Sequence, residues 1–339
     1  MNTNRKLVTT LFQKIIGQKK ARCRCSKDET VKSIAQSWLE NSSFHLKESS
    51  YIRYRNLVWN HILPELGEMK LSEVTTERVR DLIRQLLRKG RKDGRGGLSE
   101  KMVKDILALL KTICRYAVQK GFEVPCCFEL VKMKCTEGQV QILDREERTA
   151  LERFLLQDDS LIKTGILLSL YMGLRLGEVC ALKKRHIIYK EEILQVRSTM
   201  QRIQQLECTD GRKTKVIVTA PKSSSSVRDI PIPLFLMERL ERLRFAPEDS
   251  YILTGKPERF IEPRTMENNF KRFLRECRIT EINYHALRHT FATHCIENGF
   301  DVKTLSEILG HANVNITLNR YVHSSMERKK ENMKKLQVG

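Results

Sequence analysis

Between Asn283 and Tyr321 the chain crowds four histidines, two arginines and the tyrosine that closes the stretch into two short segments flanking one amphipathic helix. On a helix, residues three and four apart share a face. His285, Arg288 and His289 in NYHALRHTFATH therefore form one surface carrying a cation and two imidazoles. After Gly299, DVKTLSEILGH predicts a helix with Val302, Leu305, Ile308 and Leu309 inward, an N-cap at Asp301 and a stop at Gly310. His311 then falls just past the end of a buried rod. Ten residues on, NVNITLNRYVH predicts a second short helix that carries the Tyr321 hydroxyl towards His311 and the Arg288 face. Arginines, histidines and a tyrosine without paired acids suit a phosphate diester.

The rest of the chain agrees with a polyanionic partner. It has 62 basic against 41 acidic residues, net +21 and pI about 9.6, the electrostatic footprint of a nucleic-acid binder rather than of a generically basic protein. At 339 residues two domains are expected, each with its own core. No run of eighteen apolar residues and no signal-peptide core occurs, which predicts a cytoplasmic protein with no membrane partner. The ten cysteines are irregularly spaced, as reduced thiols are. Cys23 and Cys25 read as surface thiols rather than a zinc knuckle, because four ligands are not in view.

In chain order, residues 1–28 form a basic tail, either a DNA-seeking arm or a solvated extension. Residues 29–122 predict a small bundle of four helices. The first has Val31, Ile34, Ala35, Trp38 and Leu39 inward; the second spans 49–62, with Tyr51, Tyr54, Leu57, Val58 and Ile62 inward, broken by Pro64 and Gly67. The third has Val79, Leu82, Ile83 and Leu86 inside, and the fourth Met102, Ile106, Leu109, Leu110, Ile113 and Ala117. Arg53 and Arg55 fall off the second stripe, and RKGRKDGRGG between the last two helices holds Arg88, Lys89, Arg91, Lys92 and Arg95 beside chain-freeing glycines. All seven are candidate DNA contacts. Residues 123–141, with Pro125 and Gly138, read as a linker. Residues 142–325 then open on an Asp144/Glu147 capping box, continue through a nearly all-apolar helix at 161–171, and reach MGLRLGEVCALKKRH, where Arg175 and Glu178 share a face. Short strands follow at 187–189, 193–196, 216–219 and 227–232, making one small antiparallel sheet with a turn signal at Asp210-Gly211 and a polar loop at Pro221-Lys222. Helices return at 234–243 and 265–277, and 326–339 form a charged helical tail. The fold class is mainly α with a small antiparallel sheet, in two domains.

Collected in order, Gly-Leu-Arg175-Leu-Gly-Glu178, Pro-Lys222, His285-Ala-Leu-Arg288-His289, Leu-Gly-His311 and Asn-Arg-Tyr321-Val-His resemble the tyrosine recombinase (phage integrase) family. The N-terminal bundle looks like that family's core DNA-binding domain and the second half like its mixed α/β catalytic domain. The arrangement is similar to integrases of conjugative transposons and prophages. The resemblance implies a bacterial, nucleoid-associated recombinase, acting on double-stranded DNA as a homotetramer across two sites, with the C-terminal tail packed on a neighbouring protomer and a directionality factor as a further partner. It implies a 3′-phosphotyrosyl intermediate and no cofactor.

Elementary chemistry runs the same way. Two guanidinium forks, Arg175 and Arg288, suit the charge that develops on an attacked phosphodiester. Tyr321 is the nucleophile and needs a base, assigned to His285. Lys222 protonates the leaving oxygen, with Lys213 and Lys215 as rivals. His311 donates to the phosphate and Glu178 orients the cations. Tyr284 and Tyr189 compete as nucleophiles on composition. His289 and His294 read as structural. A zinc site at His285/His289 is disfavoured, since no Glu follows His285 and Arg288 repels the metal. Two other functions use the same sequence: a topoisomerase IB-like nicking-closing enzyme, and a DNA-binding regulator without catalysis.

Overall fold

The computed structural model describes residues 29–134, 141–206, 213–221 and 223–321, with 330, 333 and 334. The basic tail with Cys23 and Cys25, Gly138, the Asp210-Gly211 turn, Lys222, Met326 and Leu336 lie outside the described residues. The chain divides into two compact units, Met1–Glu137 and Gly138–Gly339.

The first unit is helical. α1 (Val31–Ser43) starts at Thr30, whose side chain accepts the Ser33 amide, and buries Val31, Ile34, Ala35, Trp38 and Leu39. α2 (Glu48–Leu57) does not end at Pro64: it runs through a π turn (Val58–Ile62) into α3 (Leu63–Leu66). Pro64 follows the π turn, and the widened turn coincides with the break that a proline without an amide makes in the helical ladder. On α2 Ile52 is buried while Tyr51 and Tyr54 are half-buried. α4 (Thr76–Lys89) buries Val79, Leu82 and Leu86. In α5 (Glu100–Gln119) the seam begins at Val103, and Met102 is exposed. The segment 123–141, expected as a linker, in part packs on the bundle: Val131 is buried, and Val124, Cys126, Phe128 and Met133 lie against its core.

The second unit is helices around two small sheets. α6 (Arg145–Leu156) opens with the Asp144/Glu147 capping box, each side chain accepting the other's amide. α7 (Leu161–Met172) is buried along nearly its whole length and ends at Gly173; α8 (Leu176–Ala181) follows. β1 (Ile187–Ile188), β2 (Ile193–Val196) and β5 (Arg228–Pro231) form one antiparallel sheet in the order β1-β2-β5. β3 (Thr199–Gln204) and β4 (Thr214–Thr219) form a second, antiparallel pair. The single expected sheet is thus two, and β3 was not anticipated. TMQRIQ buries only Met200 and Ile203, three apart, so its strand identity comes from pairing with β4 rather than from its own alternation. α9 (Leu234–Glu241) and α10 (Pro263–Glu276) close the core. Further along are α11 (His285–Glu297), α12 (Val302–Leu309) and α13 (Val314–Tyr321). Among the described residues no helix is long and apolar enough to cross a membrane.

Candidate active site

The site is organised by the C-terminal end of α12. Asp301 caps the other end, accepting the Thr304 amide at 2.8 Å. Leu305 and Leu309 anchor the helix in a small apolar cluster with Phe291, Ala292, Cys295, Ile296 and Tyr321. The helix stops at Gly310, which adopts the left-handed conformation (φ 65°). A Cβ there would lie 2.9 Å from the Ser225 carbonyl oxygen and 3.0 Å from Arg228 Cδ, so both backbone shape and space require glycine. A helix C-terminus leaves carbonyls unpaired and carries partial negative charge. Here three successive carbonyls each receive a guanidinium: Arg228 Nε donates to Ile308 O (2.5 Å), Arg288 Nη2 to Leu309 O (2.6 Å) and Arg175 Nη2 to Gly310 O (3.3 Å).

The three arginines come from three elements. Arg288, on α11, is 1% exposed and donates its other terminal nitrogen to Gly173 O at 2.7 Å. Burial first, then the charge of Arg175, lower its pKa to about 9, which still leaves it charged at neutral pH. Arg175 is the residue before α8, with its backbone amide and Nη1 both donating to Glu178 (2.9 and 2.7 Å). Arg228 lies on β5, 8% exposed, and its fork reaches both Glu178 oxygens at 3.1 and 2.9 Å. Glu178, 2% exposed, therefore accepts four hydrogen bonds. Burial pushes its carboxyl up, but the Arg228 bonds and the charges of Arg228 and Arg175 outweigh this and hold it below the usual range.

The Tyr321 hydroxyl lies 2.6 Å from His289 Nδ1, and Tyr321 is 8% exposed. Burial raises the phenol pKa despite the opposing charges of Arg288, Arg320 and Arg175. The imidazole in contact with the phenol is thus His289, expected to be structural, and not His285, expected to be the base; His285, at the first residue of α11, packs edge-on against the His289 ring at 4.6 Å. Burial and neighbouring cations lower His285 and His289 to about 4 and His311 to about 3. All three are thus neutral at pH 7. His311 pairs through Nδ1 with Thr317 Oγ1 at 2.8 Å, which ties it to α13. His294 is not bound to buried backbone: it is partly exposed and pairs with Asn298.

The rival tyrosines are occupied in the core. The Tyr284 hydroxyl is 2.9 Å from Ser169 Oγ, with burial pushing its pKa up. Tyr189 donates to Leu240 O at 3.0 Å and is pushed up to about 12, chiefly by burial. Among the described residues no group of three or more His, Cys, Asp or Glu could hold a metal ion. In the bundle, Arg53 pairs with Asp105 (2.6 Å), Arg91 with Asp93 (2.6 Å) and Lys92 with Asn60 (2.6 Å); Arg55 lies over the Trp59 ring, and Arg88, Lys89 and Arg95 are exposed. The Lys92 bond joins the basic loop to the π turn. Sequence reasoning did not single out Arg228. Its signal was there: in 227–232, positions 228, 230 and 232 alternate inward, so an arginine stands where an apolar residue belongs.

Residues 141–328 match the phage integrase family and residues 30–87 its N-terminal SAM-like domain. The chain belongs to the phage integrase family, the tyrosine recombinases, enzymes that break and rejoin DNA strands. Among curated proteins it is 28% identical over 325 residues to a XerC-like tyrosine recombinase of Caldanaerobacter subterraneus subsp. tengcongensis, covering 87% of this chain and 80% of that one. It is 26% identical over 332 residues to the ICEBs1 integrase of Bacillus subtilis, covering 93% and 84%. In fold it is similar to the Tn1549 transposon integrase in complex with transposon right end DNA (TM-score 0.73, 20% identity, 91% of this chain and 99% of that one). It is also similar to a lambda integrase dimer bound to a core site (TM-score 0.62, 15% identity, 88% and 97%). These likenesses favour a recombinase over a nicking-closing enzyme or a silent regulator.

Proposed function

We propose that the protein cuts and rejoins double-stranded DNA at a specific site through a 3′-phosphotyrosyl intermediate on Tyr321. The observation that carries this reading is the 2.6 Å approach of the phenol oxygen to His289 Nδ1, within the field of Arg288, Arg320 and Arg175. The phenol is protonated in the resting protein, so attack requires proton removal, and a neutral imidazole in hydrogen-bond contact can accept it. The phenol oxygen bonds to phosphorus, the bond to the 5′ oxygen breaks, and Lys222 supplies the proton that the departing oxygen takes. The reverse attack by a 5′ hydroxyl of a partner strand reseals the backbone and returns the phenol. Arg175 and Arg288 bind the non-bridging oxygens, whose charge grows in the transition state. His285 and His311, both neutral, donate hydrogen bonds to the same phosphate.

Strand exchange in this reading takes four copies on two duplexes, in the bacterial cytoplasm at the nucleoid, with 326–339 packing on a neighbouring protomer and a directionality factor biasing excision. The bundle's exposed cations, Arg53, Arg88, Lys89, Arg91, Lys92 and Arg95, together with the half-buried Arg55, track phosphates. The test is covalent capture: incubate the protein with host DNA, denature in detergent, recover protein-linked DNA and sequence its ends beside a Tyr321→Phe control. Enrichment of one short, partly palindromic site that vanishes in Tyr321→Phe is expected. DNA that binds yet never becomes covalent in either protein would overturn the reading.

A further inference from the structure

We infer that Arg228 is a positioning residue for the cleavage step, acting through Glu178 to hold Arg175 ready for the phosphate. The inference rests on the reading of Arg175 as a phosphate clamp. Arg228 touches three parts of the site at once: the Glu178 carboxylate through its fork, the Ile308 carbonyl at the end of α12 through Nε, and the Ser226 carbonyl at 3.1 Å through Nη1. Ser226 closes the short 3-10 turn Ser224–Ser226, so the same guanidinium ties that turn to β5. It also fills the space that bars a side chain at Gly310, next to His311.

The argument turns on how a buried carboxylate shares its cations. Glu178 is nearly inaccessible, and a lone carboxylate there would draw its nearest cation onto itself. With Arg228 engaging both oxygens, Arg175 gives Glu178 one side-chain nitrogen and α12 another, and keeps donors for substrate. Without Arg228, the Glu178 charge falls on Arg175 alone, and its fork rotates towards the carboxylate. Charge accounting agrees: Arg175, Arg228 and Arg288 against Glu178 give three positive charges and one negative, a surplus of two. A pentacoordinate phosphate in flight carries two negative charges, so the cluster with Arg228 matches that state and without it falls one short.

The test compares covalent-complex formation on a nicked DNA duplex with a normal scissile phosphate and on one with a neutral methylphosphonate there. Arg228→Gln is expected to slow cleavage of the phosphodiester about 100-fold, the scale of losses when an outer-shell orienting group is removed. Its DNA affinity should stay within about threefold of the parent, since positioning for chemistry and phosphate tracking are separate contributions. On the methylphosphonate, where less charge develops, the defect should shrink to below about fivefold. Arg228→Lys keeps the charge and loses the fork, and should fall between. Equal defects on both duplexes, or a parallel loss of DNA binding, would reduce Arg228 to a structural residue. Arg175→Ala runs alongside: relief there without relief in Arg228→Gln sinks this inference alone, and no relief in Arg175→Ala sinks the clamp reading itself. Should Arg228→Gln fail to fold, the double variant Glu178→Gln/Arg228→Gln removes the buried charge as well. With the capturing charge gone and the surplus of two restored, that variant is expected to cleave the phosphodiester within about fivefold of the parent, whereas a loss of about 100-fold, the scale of a missing orienting group, would overturn the inference.

Discussion

The two units hold their charges in opposite ways. The bundle keeps them outside, in short-range pairs such as Arg80–Glu77, Arg84–Asp81 and Arg91–Asp93, every partner at least 44% exposed. The second unit buries Arg288, Glu178, Arg228 and His289 within one site. An exposed pair is worth little, because water solvates either partner alone. A buried one is expensive to break, since the survivor keeps its desolvation cost. The contrast separates charges that solvent holds from charges that the surrounding protein holds in one geometry.

The sharpest way to break this comparison is Arg288→Ala, which orphans the buried carbonyls of Gly173 and Leu309. Urea unfolding should show a loss of about 3–5 kcal/mol in the second unit, with cleavage abolished; a loss below about 1 kcal/mol would put Arg288 in the same class as the bundle's pairs. Next comes pH. His186 and His289 are lowered from 6.5 to about 4, and His311 to about 3, chiefly by burial. The unfolded chain therefore takes up protons near 6.5 that the folded one refuses until about 4. Stability should be flat above pH 7.5 and fall as pH drops from about 6.5 to 4. A melting temperature that holds constant from pH 7 to 5 would contradict the burial of these rings. Gly310→Ala should cost about 1–3 kcal/mol through backbone strain and its clash with the Ser225 carbonyl, and slow cleavage by displacing the three arginines; unchanged kinetics would detach the helix end from the chemistry. Smallest is Arg84→Ala, expected to change stability by less than about 1 kcal/mol. Replacing Arg88, Lys89 and Arg95 by Ala should flatten the salt dependence of DNA binding, by roughly one unit of slope per lost phosphate contact.

What the sequence disclosed follows the same division. The bundle's helices were legible because an apolar stripe repeats at helical spacing: Val31 to Leu39 and Val79 to Leu86 lie inward as periodicity predicts. Where spacing alone decided, it slipped by a residue, choosing Met102 over Val103, and it could not foresee a π turn carrying the helix past Pro64. In the second unit, the caps at Asp144, Asp301 and Gly310 were local and therefore visible. Local spacing also put Arg288 and His289 on one helix face. It could not say which imidazole meets Tyr321, because that contact spans 32 residues. Arg228 was hidden for the same reason: its partners Glu178 and Ile308 are 50 and 80 residues away, and only an arginine at an inward strand position hinted at them.

The three carbonyls at the end of α12 also set an order of events during synthesis. Arg175, Arg228 and Arg288 leave the ribosome before residues 308–310, the acceptors that gather them, while the bundle, made first, has its whole core in hand. A nascent chain can thus hold a complete bundle core while its arginines still lack a common seat. The arginines therefore take up their shared geometry only once residues 308–310 are made, with Tyr321 following eleven residues later.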